Sequence, residues 1–130
     1  MVSIRPGGIY QLVGYDEQGA RAEGTLLRSG SLAALVSDFA LVADRDGATI
    51  VTWFDRAESD LLIERFAALS VMDATFGKGG VVRTSIGRGT AVELPLVPFP
   101  IVQKNGRLVV GARSCHHQRC RASLYGYVLR

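Results

Sequence analysis

The sequence lacks the features that mark membrane spans and disulfide-rich scaffolds. No apolar run approaches the roughly 18 residues that a transmembrane helix requires. The N-terminal residues 1–8 lack the apolar core of a secretory signal, so either the protein is cytoplasmic or the sequence starts after a removed leader or inside a longer gene. The chain has only two cysteines, both in one short segment, and no C-x-x-C redox motif. These absences predict no membrane span, and they favour an ordinary globular domain.

Sequence patterns of common enzyme and nucleic-acid-binding sites are also missing. There is no Gly-x-Ser-x-Gly elbow, and Gly77-Lys78-Gly79-Gly80 lacks the full phosphate-loop pattern and precedes a strand. The charge is a modest +3 and is carried by 13 arginines and two lysines that are scattered along the chain. A nucleic-acid interface requires a clustered basic stripe, so we predict no nucleic-acid partner.

The remaining composition is that of a β-protein. At 130 residues the chain is about one domain by the usual length of roughly 100–200 residues, so we predict a single domain over 1–130. Hydrophobic residues make up 48% of the chain, which is ample for a core. Fifteen glycines against four prolines suit many short strands joined by tight turns, and an all-β fold is predicted.

A repeated unit dominates the second half of the chain. Asp46-Gly47 and Asn105-Gly106 are hairpin-turn signals 59 residues apart (105 minus 46), and each precedes a β-branched strand. We divide the unit into strands a, b, c and d. The predicted order is c-d in a partial first repeat (9–38), a-b-c-d in a full repeat (39–90) and a-b-c in the last repeat (91–130). The strands of the three repeats are, in chain order, 9–15, 24–28, 39–44, 49–55, 61–68, 81–86, 99–104, 108–114 and 123–129.

Strand c of the full repeat is ambiguous. Leu62, Phe66 and Leu69 have helical spacing, and Glu58-Ser59-Asp60 resembles a helix N-cap. The equivalent segment of the last repeat, 123–129, contains glycine and aromatic residues and is a poor helix. Copies of one unit share one structure, so a strand is predicted for 61–68. A helical turn over 32–39 stays an alternative.

The run from Asp73 to Gly80, Asp-Ala-Thr-Phe-Gly-Lys-Gly-Gly, resembles the delta-60 repeat family of bacterial β-propeller-like repeats. The two turn-and-strand segments at Asp46 and Asn105 match that family's first element, and Leu61 to Phe66, which ends in Arg-Phe, matches its second. The likeness covers about residues 39–130. The first repeat lacks the Phe-Gly-x-Gly-Gly element, and Ala48 stands where the family has lysine.

The resemblance implies a partial β-propeller of four-stranded antiparallel blades, about two and a quarter of them, and no defined catalytic activity. Gly77, Gly79 and Gly80 would supply the positive φ of a sharp turn, and Phe76 would fill the space between blades. An incomplete propeller exposes apolar faces. The expected partners are therefore further blades of a longer chain or other copies of this chain, associated head to tail.

The only cluster of chemically reactive residues is Cys115-His116-His117-Gln118-Arg119-Cys120, assigned to the loop between strands b and c of the last repeat. A disulfide between Cys115 and Cys120 is the favoured interpretation, and it indicates an oxidising compartment. A zinc or copper site with Cys115, His116, His117 and Cys120 as ligands is the alternative, weakened because adjacent histidines of an extended segment point to opposite faces. Free cysteines are the third possibility, and no cofactor is predicted.

The predicted function is a non-enzymatic scaffold or recognition module of a secreted or cell-surface bacterial protein. A small all-β carbohydrate- or ligand-binding domain is the alternative. Its candidate contacts are the aromatic residues Tyr10, Tyr15, Trp53, Phe54, Tyr125 and Tyr127. A propeller lyase or hydrolase completed by other blades is a third possibility. We predict no catalytic residues.

Overall fold

All regular elements of the described residues are β-strands, which confirms the predicted all-β class. A computed structural model of the chain describes 2–5, 9–12, 14–15, 18, 20–22, 26–28, 39–55, 60–68, 71–86, 98–116 and 119–129. Every strand pairing in these ranges is antiparallel. No helix of this part is long and apolar enough to cross a bilayer. The alternative helical turn over 32–39 lies outside the described residues except for Phe39, which begins a strand.

The strands are β1 (Val2–Arg5), β2 (Ile9–Leu12), β3 (Gly14–Tyr15), β4 (Arg21–Ala22), β5 (Leu26–Arg28), β6 (Phe39–Ala43), β7 (Thr49–Asp55), β8 (Asp60–Ala68), β9 (Val71–Met72), β10 (Val81–Ser85), β11 (Phe99–Val102), β12 (Arg107–His116) and β13 (Arg119–Val128).

The full repeat forms one sheet in which β6, β7, β8 and β10 are the predicted strands a, b, c and d. Their order across the sheet is β10-β8-β7-β6, with the short β9 paired to β8 as well. We call this five-stranded unit the middle sheet. β8 runs from Asp60 to Ala68, so the helical interpretation of that segment is wrong. Its pairing with strands on both sides overrides the helical spacing of its apolar residues.

The last repeat forms a three-stranded sheet, β11-β12-β13, which we call the last sheet. Its strands are strands a, b and c. β12 and β13 are longer than predicted, because Cys115 pairs with Cys120 and His116 with Arg119. The cysteines therefore lie in the paired strands, and their assignment to the loop was wrong.

The first repeat is more complex than a two-stranded c-d piece. β2 pairs with β5, as strands c and d were predicted to do, but β1 pairs with the other edge of β2. The predicted strand 9–15 is divided, since β2 ends at Leu12 and Gly14–Tyr15 forms a small hairpin with β4. We call β1, β2 and β5 the first sheet.

The hydrophobic core lies between the middle and last sheets. Its buried members are Ile50, Leu61 and Ile63 of the middle sheet, Leu108 and Val110 of the last sheet, and Phe76 of the loop before β10. Thr84 of β10 and Tyr127 of β13 join the two sheets through a hydroxyl–hydroxyl hydrogen bond of 2.8 Å. Val51 and Phe66 form a second cluster on the other face of the middle sheet, with Leu41, Trp53 and Met72. Both faces of the middle sheet are therefore apolar, as expected of a unit in the interior of a stack.

Candidate functional site

The two turns of the repeat have the same hydrogen bonds. In the first, the Asp44 N–H donates to the Ala48 carbonyl over 2.7 Å, and in the second the Gln103 N–H donates to the Arg107 carbonyl over 2.7 Å. The side chains at 46 and 105 each accept a 3.1 Å bond from the N–H two residues ahead. Gly47 and Gly106 have φ of 84° and 73°. The turns at 46 and 105 are thus equivalent structures, as the 59-residue period predicts.

The segment from Asp73 to Gly80 forms a compact loop before β10. The Phe76 N–H donates to the Asp73 carbonyl over 3.0 Å, and the Gly80 N–H donates to the Phe76 carbonyl over 2.8 Å. Gly77, Gly79 and Gly80 have φ of 56°, 63° and 90°. The Phe76 side chain is buried in the core cluster that includes Leu108 of the last sheet. Phe76 therefore packs between two sheets.

Arg65 of β8 joins the first turn to this loop. Its Nη2 donates to Asp44 Oδ2 over 3.1 Å and to Asp46 Oδ2 over 2.5 Å, and its Nη1 donates to Asp73 Oδ2. The side chains of Arg65, Asp44 and Asp73 are about nine-tenths buried, whereas that of Asp46 is 61% exposed. We call these four residues the Arg65 cluster.

The backbone reinforces the same junction. The Arg65 N–H donates to the Gly80 carbonyl over 3.0 Å, and the Arg65 carbonyl accepts from the Asp73 N–H over 2.8 Å. Asp73 Oδ1 also accepts from the N–H and the hydroxyl of Thr75 over 3.0 Å and 2.5 Å. One arginine thus fixes both connections at one end of the middle sheet, the a–b turn and the c–d loop.

The hydrogen bonds of the Arg65 cluster favour its charged forms. The Thr75 hydroxyl and N–H, followed by Arg65, hold the pKa of Asp73 below its usual 3.8. The Ala48 N–H is the main cause that lowers the pKa of Asp46, against a smaller opposing effect of burial, and Arg65 adds to it. Burial by itself lowers the pKa of Arg65, but its hydrogen bonds to Asp46 and Asp44 outweigh this and raise the pKa. The guanidinium stays charged and is occupied by carboxylates, so the cluster is suited to holding loops together.

These pKa shifts predict acid destabilisation. A carboxyl whose pKa is lower in the folded than in the unfolded state contributes stability above its unfolded pKa and loses it as the pH falls through the folded pKa. The free energy of unfolding is therefore expected to be level above about pH 5 and to fall as the pH drops below about 4. Urea unfolding at a series of pH values measures this slope. Asp73→Asn is expected to flatten it, and an unchanged slope in that variant contradicts the prediction.

Sequence reasoning missed Arg65, although it noted the Arg-Phe pair and treated Asp46 as a turn residue. Asp46 has that turn role, through its bond to the Ala48 N–H, and the ion pair is additional. The last repeat has no such cluster, because Gln103 and Asn105 replace the two aspartates and Gly126 replaces the arginine at the equivalent register position. The sequence does carry a signal for the cluster: the arginine and the Asp-Gly turn are both present in the full repeat, and both are replaced in the last repeat.

The cysteines lie opposite each other near the end of the long hairpin of β12 and β13. Cys120 is disulfide-bonded, and Cys115, the only other cysteine of the sequence, is its directly opposed partner in the register. The Arg113 Nη2 donates to the Cys120 Sγ over 3.0 Å. His116 pairs with Arg119, and His117 lies outside the described residues. Within the ranges that the structure describes, no three His, Cys, Asp or Glu side chains form a group that could hold a metal ion.

The disulfide prediction is tested by thiol titration and by stability. We expect no free thiol in the denatured, unreduced chain and two after reduction. The Cys115→Ser, Cys120→Ser double variant has no cross-link to restrict its unfolded state. Because the loop that the disulfide closes is short, we expect its free energy of unfolding to be lower by about 2 kcal/mol at most. Two reactive thiols before reduction, in protein purified under oxidising conditions, would contradict the prediction.

The candidate aromatic contacts do not share one surface. Trp53 packs with the cluster around Val51 on one face of the middle sheet, whereas Tyr125 packs against the core between the middle and last sheets. Phe54 is buried, and the side chains of Tyr10 and Tyr15 lie outside those that the structure describes. Trp53, Phe54 and Tyr125 therefore form no single aromatic platform of the kind that stacks against a sugar ring.

Comparison with protein-family models gives no match to the chain, and comparisons with curated proteins and with solved structures give none either.

Proposed function

We propose that the chain is a β-propeller-like repeat module of the delta-60 type, with a non-enzymatic role as a scaffold or recognition surface. The observation that carries the proposal is the Arg65 cluster. The three sequence elements of the resemblance lie apart in the chain, and each contributes a residue to the cluster: Asp46 from the first, Arg65 from the second and Asp73 from the third. If the Arg65 cluster is the structural junction of the repeat, the repeat needs all three elements, because each supplies one of its residues.

The arrangement of strands supports the same proposal. The middle sheet is a four-stranded antiparallel meander with one short extra strand, and it stacks face to face on a sheet of the same strand order. Stacked sheets of this kind are the elements of propellers, which protect sheet edges by radial repetition. A disulfide near the end of the β12–β13 hairpin suits an oxidising compartment, so a secreted or cell-surface location is part of the proposal.

The experiment compares the full chain with Trp53→Ala and Tyr125→Ala variants on a glycan array and in a panel of lyase and hydrolase assays. The scaffold proposal expects no turnover and no glycan signal that either variant abolishes. A glycan signal lost in folded Trp53→Ala or Tyr125→Ala would favour the carbohydrate-binding alternative. Turnover lost on substitution of His116 or His117 would favour an enzyme. An experimental structure in which successive sheets do not rotate about a common axis would refute the propeller-like arrangement.

A further inference from the structure

One face of the last sheet is exposed and strongly apolar. Phe99 and Ile101 of β11 are 67% and 62% exposed, and Leu124 and Val128 of β13 are 79% and 56% exposed. All four lie on one side, because they alternate with residues that pack into the core, such as Tyr125 and Tyr127. We call this side, together with Val109 of β12, the outer face. Large apolar residues gathered on one exposed face mark an interaction site more often than isolated ones do.

The internal repeat shows what covers this face elsewhere. Ile101 and Val109 are equivalent to Val42 and Ile50 of the middle sheet by the 59-residue period. Leu124 is equivalent to Ile63, since Leu124 pairs with Gly111 and Ile63 pairs with Thr52, which are also 59 residues apart. In the middle sheet this face is the one that packs on the last sheet, and Ile50 and Ile63 are both 0% exposed. The outer face is thus the counterpart of a surface that the same chain already buries under a unit of its own kind.

We propose that a second copy of this chain docks on the outer face, head to tail, as the last sheet docks on the middle sheet. The second copy contributes a surface other than its own outer face, as the last sheet does where its core-facing side packs on the middle sheet. This inference rests on the proposed function, because it extends the stacking of equivalent sheets from one chain to two.

Charge argues against two outer faces meeting each other. Arg107 and Arg113 lie on the same side of β12 as Val109, and both are exposed. A two-fold contact would bring these arginines of one copy toward those of the other, and like charges across an interface are unfavourable. A head-to-tail contact uses two different surfaces and avoids this repulsion. Such contacts form rings or open chains, depending on the rotation between units.

The primary test is sedimentation equilibrium of the full chain over a wide concentration range. We expect the average mass of the wild-type chain to rise with concentration. Leu124→Glu and Ile101→Glu place a charge on the outer face, and each is expected to weaken association by about tenfold or more. Val71→Glu is the matched control, because Val71 is 59% exposed on β9, away from the outer face, and its variant should associate as the wild type does. Circular dichroism verifies that each variant is folded.

Mixing distinguishes head-to-tail from two-fold contacts. A Leu124→Glu chain keeps the other surface of a head-to-tail contact intact, so it is expected to cap the wild-type outer face and to shift large assemblies toward smaller mixed ones. A wild-type chain that stays monomeric at every concentration overturns the proposal, as does equal weakening by Val71→Glu. Failure of Leu124→Glu to cap wild-type assemblies overturns the head-to-tail arrangement. The glycan and turnover assays do not measure association. A failure of this proposal can therefore be distinguished from a failure of the proposed function.

Discussion

Arg65→Met is expected to lower the free energy of unfolding by about 3 kcal/mol, because removing one partner of a buried ion pair leaves the other charges uncompensated. Methionine keeps most of the aliphatic volume, so the loss reports the missing charge and hydrogen bonds. Asp44 and Asp73, both about nine-tenths buried, would then lack the cation that they share. Domains of this kind are stable by only about 5–15 kcal/mol, so the effect is a large fraction of the total. Urea unfolding at neutral pH measures it.

The pH dependence of this variant gives a sharper readout than its stability alone. In the wild type, the pKa values of Asp46 and Asp73 are lowered, so stability falls as the pH drops. Without Arg65, the hydrogen bonds from Thr75 and from the Ala48 N–H remain and still lower the pKa values of Asp73 and Asp46, but the contribution of the guanidinium is lost. The variant should therefore lose less stability than the wild type as the pH drops below about 4. The two curves are therefore expected to converge in acid.

Arg83→Met is the control for Arg65→Met in the same sheet. Arg83 Nη1 donates to Asp60 Oδ2 over 2.9 Å, and the side chains of Arg83 and Asp60 are 46% and 13% exposed. Arg83 binds the Asp60 carboxylate and is partly open to solvent, so this variant should lose about 1 kcal/mol, less than Arg65→Met. If the two variants lost the same stability, or if their pH curves ran parallel, the Arg65 cluster would not have the role that its geometry assigns to it.

The full repeat could be predicted closely from the sequence. Its strands a to d were placed within one residue of β6, β7, β8 and β10, because a tight turn, β-branched residues and a second copy at a fixed spacing all indicated the same boundaries. The second copy also decided β8 against its own helical spacing. The short β9 was missed, since the two residues Val71–Met72 carry no pattern of their own.

The first repeat and the Arg65 cluster could not be predicted, for different physical reasons. β1 and the β3–β4 hairpin lie where the repeat is degenerate, so no second copy constrained them. The partners of Arg65 lie 21, 19 and 8 residues away from it. They meet only once strand register brings the two connections to one end of the sheet. An aspartate that only stabilises a turn and one that also forms an ion pair look the same in sequence, because the ion pair depends on where folding places Arg65.

The loop that carries Asp73 provides the second large expected effect, in Gly77→Ala. A Cβ on Gly77 would lie 2.4 Å from the Val81 carbonyl oxygen and 2.6 Å from Val82 Cγ2. That carbonyl accepts a 2.9 Å bond from the Lys78 N–H at the start of β10. The methyl group therefore collides with backbone that cannot move without loss of this bond. Adding the cost of a left-handed residue to that of overpacking, we expect a loss of about 3 kcal/mol.

Gly79→Ala isolates the backbone part of this cost within the same turn. Gly79 has a φ of 63°, close to the 56° of Gly77, but no atom lies within 4 Å of its added Cβ. Only the left-handed conformation is penalised there, at about 1 kcal/mol. Urea unfolding of the two variants side by side therefore separates collision from backbone strain. Equal losses would mean that the approach of Gly77 to Val81 is not what holds the loop against β10, and that the glycines serve only to make the turn.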